Sequence, residues 1–332
     1  MKKIILAVQL LFFLTSMACV ARGQEPVGSD KLIDTAAEPT GVTFGEPVKA
    51  KWRVGAVVRG RGQRQSVLVT LPIPNDWPEQ TVALDKEELP DAVRTIIDYR
   101  QLKTNNVRQM IAKVPNLPAN NPITIAVTVA VETREIIEPE DKSPYVIPKS
   151  NHKEGKIHLG VSPYANHRNS KLRNFTKKLV TESKNDWEKA EAIYNWIRDN
   201  VEHEDGDVKN AVTAFQDKKG CNEDKAFLFV AMCRSIKIPA RIVFANQFTY
   251  AEFMLTDAEG KASYWFPANI NGVYEFGSLA EPKIILQKGD NIKVPEKKQR
   301  QKYIAEHISV TGTAAPKFGA FREQLEPDEE DQ

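Results

Sequence analysis

The spacing of apolar positions changes period along this chain. Val54, Ala56 and Val58 alternate, as do Val67, Val69 and Leu71, and later Ile125, Val127, Val129 and Val131. A period of two puts each set on one face of a strand. Residues 43–138 are therefore expected to form an antiparallel β-sandwich of roughly seven strands. Arg59-Gly60-Arg61-Gly62-Gln63 reads as a hairpin connection, and Pro72, Pro74 and Pro78 around Trp77 interrupt the strand pattern. Residues 139–154, with Pro139, Pro144 and Pro148, read as a linker.

From there the period becomes helical. Leu172, Phe175, Leu179 and Val180 share one face of a helix over Ser170 to Glu182. A second helix, capped by Asn185 or Asp186, buries Ala190, Ile193, Tyr194, Ile197 and Val201. At Gly220 a sharp turn opens a third, with Glu223 and Asp224 where the helix dipole favours acidic groups. Ala226, Phe229, Val230, Cys233 and Ile236 face the core, and Pro239 ends the segment. Ala240–Phe244 is an interior strand, and Tyr250–Leu255 pairs with Ser263–Ile270 across a turn at Asp257–Gly260. The fold class is α+β: a sandwich at 43–138 and helices packed on an antiparallel sheet at 155–282. Residues 283–332 read as a basic extension followed by an acidic, disordered tail.

Composition changes this picture mainly at the N-terminus. Lys2 and Lys3 precede an apolar run, Ile4 to Val20, and Ala21-Arg22-Gly23 supplies small residues before Gln24. Residues 1–23 are expected to be a signal peptide, with 24–42 a polar leader and the protein periplasmic or at the cell surface. Cys19 is a weak candidate for a lipid anchor, because Ser16 stands where such sites carry leucine. Without residues 1–23 the chain keeps 43 Lys and Arg against 44 Asp and Glu, so bulk charge indicates no nucleic-acid partner. Cys221 and Cys233 then remain, at opposite ends of one helix and about 18 Å apart by helical rise, too far for a disulfide. No cofactor motif is present. His203 with Glu204, Asp205 and Asp207 forms a carboxylate-rich loop without the acidic twelfth position of a calcium loop, so a solvated turn is favoured over a metal site.

The stretch Gly220 to Arg241 resembles the transglutaminase-like superfamily, the papain-like fold of thiol acyl-transferases and peptidases. Its signature is Gly-x-Cys-x-Asp, a helix ending in Arg, then Gly-Ile-Pro-Ala-Arg. Gly220, Asp224, Arg234 and Ile238-Pro239-Ala240-Arg241 match, with Lys237 in the glycine position. The resemblance implies a Cys, His and Asp triad, and its three positions here hold Asn222, Phe248 and Asn269. An amide is no nucleophile and a phenyl ring moves no proton. Two readings stand. The first is a non-catalytic module whose cleft, lined by Phe248, Tyr250, Glu252 and Trp265, holds a peptide or protein. The second is an active cysteine acyl-transferase, amidase or peptidase using Cys221, with His203 the first candidate base.

Overall fold

The computed structural model describes residues 41–61, 65–91, 94–102, 107–311 and 315–325. The signal segment, Cys19, nearly all of the leader and the acidic tail lie outside them. The first six strands come from the alternating segments: β1 (Thr43–Arg59), β2 (Gln65–Ile73), β3 (Gln80–Glu88), β4 (Ile96–Leu102), β5 (Val107–Leu117) and β6 (Pro122–Ile137). Val54, Ala56 and Val58 face Val67, Val69, Leu71 and Val127 in one apolar core, as their period of two requires.

The remaining elements follow as α1 (Lys153–Ile157), α2 (Ser170–Leu179), α3 (Asp186–Asn200), β7 (Glu202–His203), α4 (Ala211–Asp217), β8 (Lys219–Gly220) and α5 (Asn222–Ser235). After them come β9 (Ala240–Ala245), β10 (Phe248–Thr256), β11 (Ser263–Asn269), β12 (Glu275–Phe276), β13 (Ile285–Lys288), β14 (His307–Thr311) and β15 (Lys317–Leu325). The five-stranded antiparallel sheet runs β12-β11-β10-β9-β13. Helix α5 packs on one of its faces, and residues 224–235 are buried all round. A helix buried on every side belongs inside a core, and this one sits between the sheet and α2, α3 and α4. Among the described residues no helix is long and apolar enough to cross a bilayer.

Three expectations are corrected. The C-terminal segment is no free extension, because β15 pairs along β1 and β14 along β2. The sandwich sheets are therefore β15-β1-β6-β3 and β14-β2-β5-β4. Gly55 makes room for this return. It pairs with Phe321, whose ring would meet a Cβ at 2.2 Å. The core does not end at residue 282, since β13 extends its sheet. Nor is the 139–154 segment a loose linker. Tyr145 is buried against Trp187, Tyr264 and Phe266. Its hydroxyl accepts from Gly41 N at 2.9 Å. Proline-rich sequence set the extended backbone, and one aromatic anchor fixed it to the core.

Candidate functional site

Four of the matched signature residues build the frame. Gly220 is paired with His203 through β7 and β8, and a Cβ on it would lie 2.7 Å from Asp224 Cβ. That close approach lets the buried Asp224 accept from Lys209 N at 2.8 Å and from Cys221 N at 3.1 Å. One carboxylate thus caps α5 and fastens the loop before α4. At the other end, Arg234 donates through Nε and Nη2 to Ala240 O, at 3.0 and 2.8 Å, and through Nη1 to Gly160 O at 2.8 Å. Lys237 adopts φ +75°, the left-handed conformation for which glycine is suited.

Arg241 and Glu252 are cross-strand partners on β9 and β10, with Nε and Oε2 2.6 Å apart. Lys288 reaches the other Glu252 oxygen at 2.6 Å and also bonds Glu79 from the sandwich. Burial pushes Glu252 up, but the Arg241 and Lys288 charges outweigh it and hold its carboxyl below the usual range. This network lies on the sheet face away from α5. Tyr250 packs there with Val243 and Ile285, while Ala251, Phe253 and Leu255 face the helix core.

That alternation corrects the expected cleft. Tyr250 is fully buried, and Glu252 and Trp265 line a separate cavity of about 210 Å³ on the far face. Trp265 is occupied there, donating to Glu154 Oε1 at 2.7 Å with the Arg241 guanidinium 3.8 Å over its ring. Phe248 touches the groove at α5, but its ring lies 5.8 Å from Tyr250, on the far-face side. The β10 residue that shares the α5 face at this end is Thr249. A period-two count from Phe253 was available in the sequence and would have found it.

The groove itself measures about 660 Å³ and runs past the start of α5. Cys221, the N-cap, and Asn222, the first helical residue, form one side, with Phe244, Asn246, Gln247 and Thr249 from the β9–β10 turn opposite. Trp52 from β1, Leu286, Tyr303 and Arg322 complete it. Sequence reasoning missed this last wall because it depends on the C-terminal return. Among the described residues no side chain hydrogen-bonds the Asn222 amide. Asn269, expected at the acidic position, is buried away from the groove. Its Nδ2 donates to Glu275 Oε2 at 2.6 Å, and its carbonyl accepts from Tyr194 at 2.8 Å.

Cys221 and His203 do line one groove, and His203 Nε2 lies 2.9 Å from Asp205 Oδ1. No imidazole nitrogen hydrogen-bonds the Cys221 sulfur among the described residues. Burial pushes the Cys221 thiol up, against the backbone N–H of Asp224 that favours the thiolate. Cys233 is sealed in the core with its thiol raised by burial. No group of three or more His, Cys, Asp or Glu side chains among the described residues is placed to hold a metal.

Comparison with known proteins agrees with this frame. Residues 173–270 match the family model described as the transglutaminase-like superfamily. An uncharacterized protein of Haemophilus influenzae is 32% identical over 111 residues, a match covering 30% of this chain and 30% of that protein. A crystal structure from Cytophaga hutchinsonii, described as a candidate cysteine protease, superposes with a TM-score of 0.56 at 17% identity. It covers 86% of this chain and 94% of that one, a likeness of fold. Residues 173–270 therefore form a transglutaminase-like domain.

Proposed function

We propose that this protein is an exported binding module in which the transglutaminase-like groove holds an extended peptide segment and performs no acyl transfer. The observation that carries this reading is Asn222 in the first turn of α5, opposite Thr249, where a thiol acyl-transferase needs a nucleophile and its base. Asn222, Asn246 and Gln247 each offer an amide donor and an acceptor, the complement of a peptide group. Phe244, Leu286 and Tyr303 supply apolar surface beside them. Export rests on Lys2, Lys3 and the run Ile4–Val20, and the mature chain should begin at Gln24.

A second reading has one observation in its favour: Cys221, His203 and Asp205 border the same groove. In it Cys221 attacks an acyl carbon, His203 takes the thiol proton and returns it to the leaving amine, and Asp205 orients the imidazole. Thiol alkylation against pH separates the two, with Cys221→Ser and Cys233→Ser as controls. The binding-module reading expects a midpoint at or above the free-thiol value of about 8.5. A midpoint well below it, lost in Cys221→Ser, would establish an activated thiolate and replace that reading with the catalytic one.

A further inference from the structure

Behind Asn222, on the side away from the β9–β10 turn, lies a second cavity of about 450 Å³. Its lining includes Arg198, Lys225, Asn271, His203 and Asn222, the last two shared with the main groove. Lys225 is the fourth residue of α5 and only 9% exposed. Among the described residues its ammonium has no hydrogen-bond or ion-pair partner. Burial lowers its pKa, and the Arg198 charge lowers it further. Arg198 is held by backbone carbonyls of Ile270, Gly272 and Val273 and by the Tyr194 hydroxyl, so no carboxylate neutralises it either. Asn271 Nδ2 is a buried donor without an acceptor. The one carboxylate on the lining, Asp199, is exposed.

Lys225 thus buries its stem and presents an unpaired ammonium to the cavity, beside a second cation. An anion entering the cavity would meet Lys225, the Arg198 charge and the positive end of α5 at once. We propose that this cavity is an oxyanion site, taking a carboxylate or phosphate group through Lys225 beside the Arg198 charge. The proposal does not depend on what the main groove holds. Because Asn222 and His203 border both cavities, an acidic group on a ligand in the groove could also enter it.

The test is thermal unfolding of the full chain at pH 7 with sodium phosphate, sodium acetate or sodium chloride at matched ionic strength. Phosphate or acetate should raise the Tm by about 2 °C or more over chloride as the site saturates. A response to phosphate alone assigns a phosphoryl ligand, and a response to acetate assigns a carboxylate. Lys225→Met should abolish the anion-specific shift. Without anion it should melt no lower than the parent, because the ammonium has no partner to strand and methionine keeps the packing of the stem. Reductive methylation of Lys225 in the unaltered protein, followed by mass spectrometry, needs no variant and should slow about fivefold with the effective anion. An equal shift in Lys225→Met would mark general salting-out and overturn the site. So would a methylation rate unchanged by either anion, or no shift over chloride.

Discussion

The signature residues around α5 divide into two groups with opposite surroundings. Asp224, Arg234, Arg241 and Glu252 are buried, and each is tied by short hydrogen bonds to backbone or to an opposite charge. Asn222 is exposed, without a side-chain partner, and Phe248 has turned its ring toward Tyr250 on the far face. Changing a buried charged residue of the first group strands its partner in low dielectric, whereas changing an exposed residue of the second costs the fold little. The buried frame and the groove positions therefore carry different stability costs.

The sharpest way to break this comparison is Lys288→Met, which leaves Glu252 and Glu79 buried and short of a cation. It should cost about 3–5 kcal/mol in urea unfolding, against less than about 0.5 kcal/mol for Asn222→Ala. Similar costs for the two would erase the distinction.

A pH titration sharpens it next. Burial, then Arg241 and Arg234, depresses His158 to about 3, while its ring packs edge-on against Trp265 at 4.8 Å. Its folded pKa lies below the unfolded value of about 6.5. The stability it contributes is thus complete above pH 6.5 and is lost as pH falls toward 3. Between these limits the unfolded chain binds the extra proton, adding a slope of about 1.4 kcal/mol per pH unit. His158→Gln should remove that part of the slope in pH-dependent denaturation, and an unchanged slope would place the proton elsewhere.

The proposed loss of a nucleophile and base can be tested by adding both. Asn222→Cys with Thr249→His should give a thiol whose alkylation midpoint falls about one unit below that of Asn222→Cys alone. Asn222→Cys with Phe248→His should not, because residue 248 shares the far face. If only the Phe248 pair responds, β10 presents the opposite face to the groove. The smallest effect is expected at Lys237. Lys237→Gly should gain about 0.5 kcal/mol by relieving the left-handed backbone, net of glycine's larger unfolded-state entropy.

Much of the frame was legible in the sequence. Asn185 caps α3, with its side chain accepting from Glu188 N, and α5, β9, β10 and β11 fall within a few residues of their expected ranges. These elements were readable because periodicity, caps and breakers act between residues close in the chain. The cleft was less legible. From residue types alone, Phe248, Tyr250, Glu252 and Trp265 made one cleft lining, but strand alternation turns them to the sheet face away from α5, and of the four only Phe248 touches the groove at the start of that helix.

What the sequence determined by itself is the local grammar: strands at period two, a glycine where Asp224 must approach, and the turn that opens α5 at Asn222. Tertiary structure alone decided that β14 and β15 return to the sandwich, that Trp52, Tyr303 and Arg322 wall the groove, and that Lys225 is buried without a partner. Each of these depends on residues far apart in the chain. Their partners are set by how sheets stack and which charges are enclosed, and neither leaves a periodic trace in the sequence.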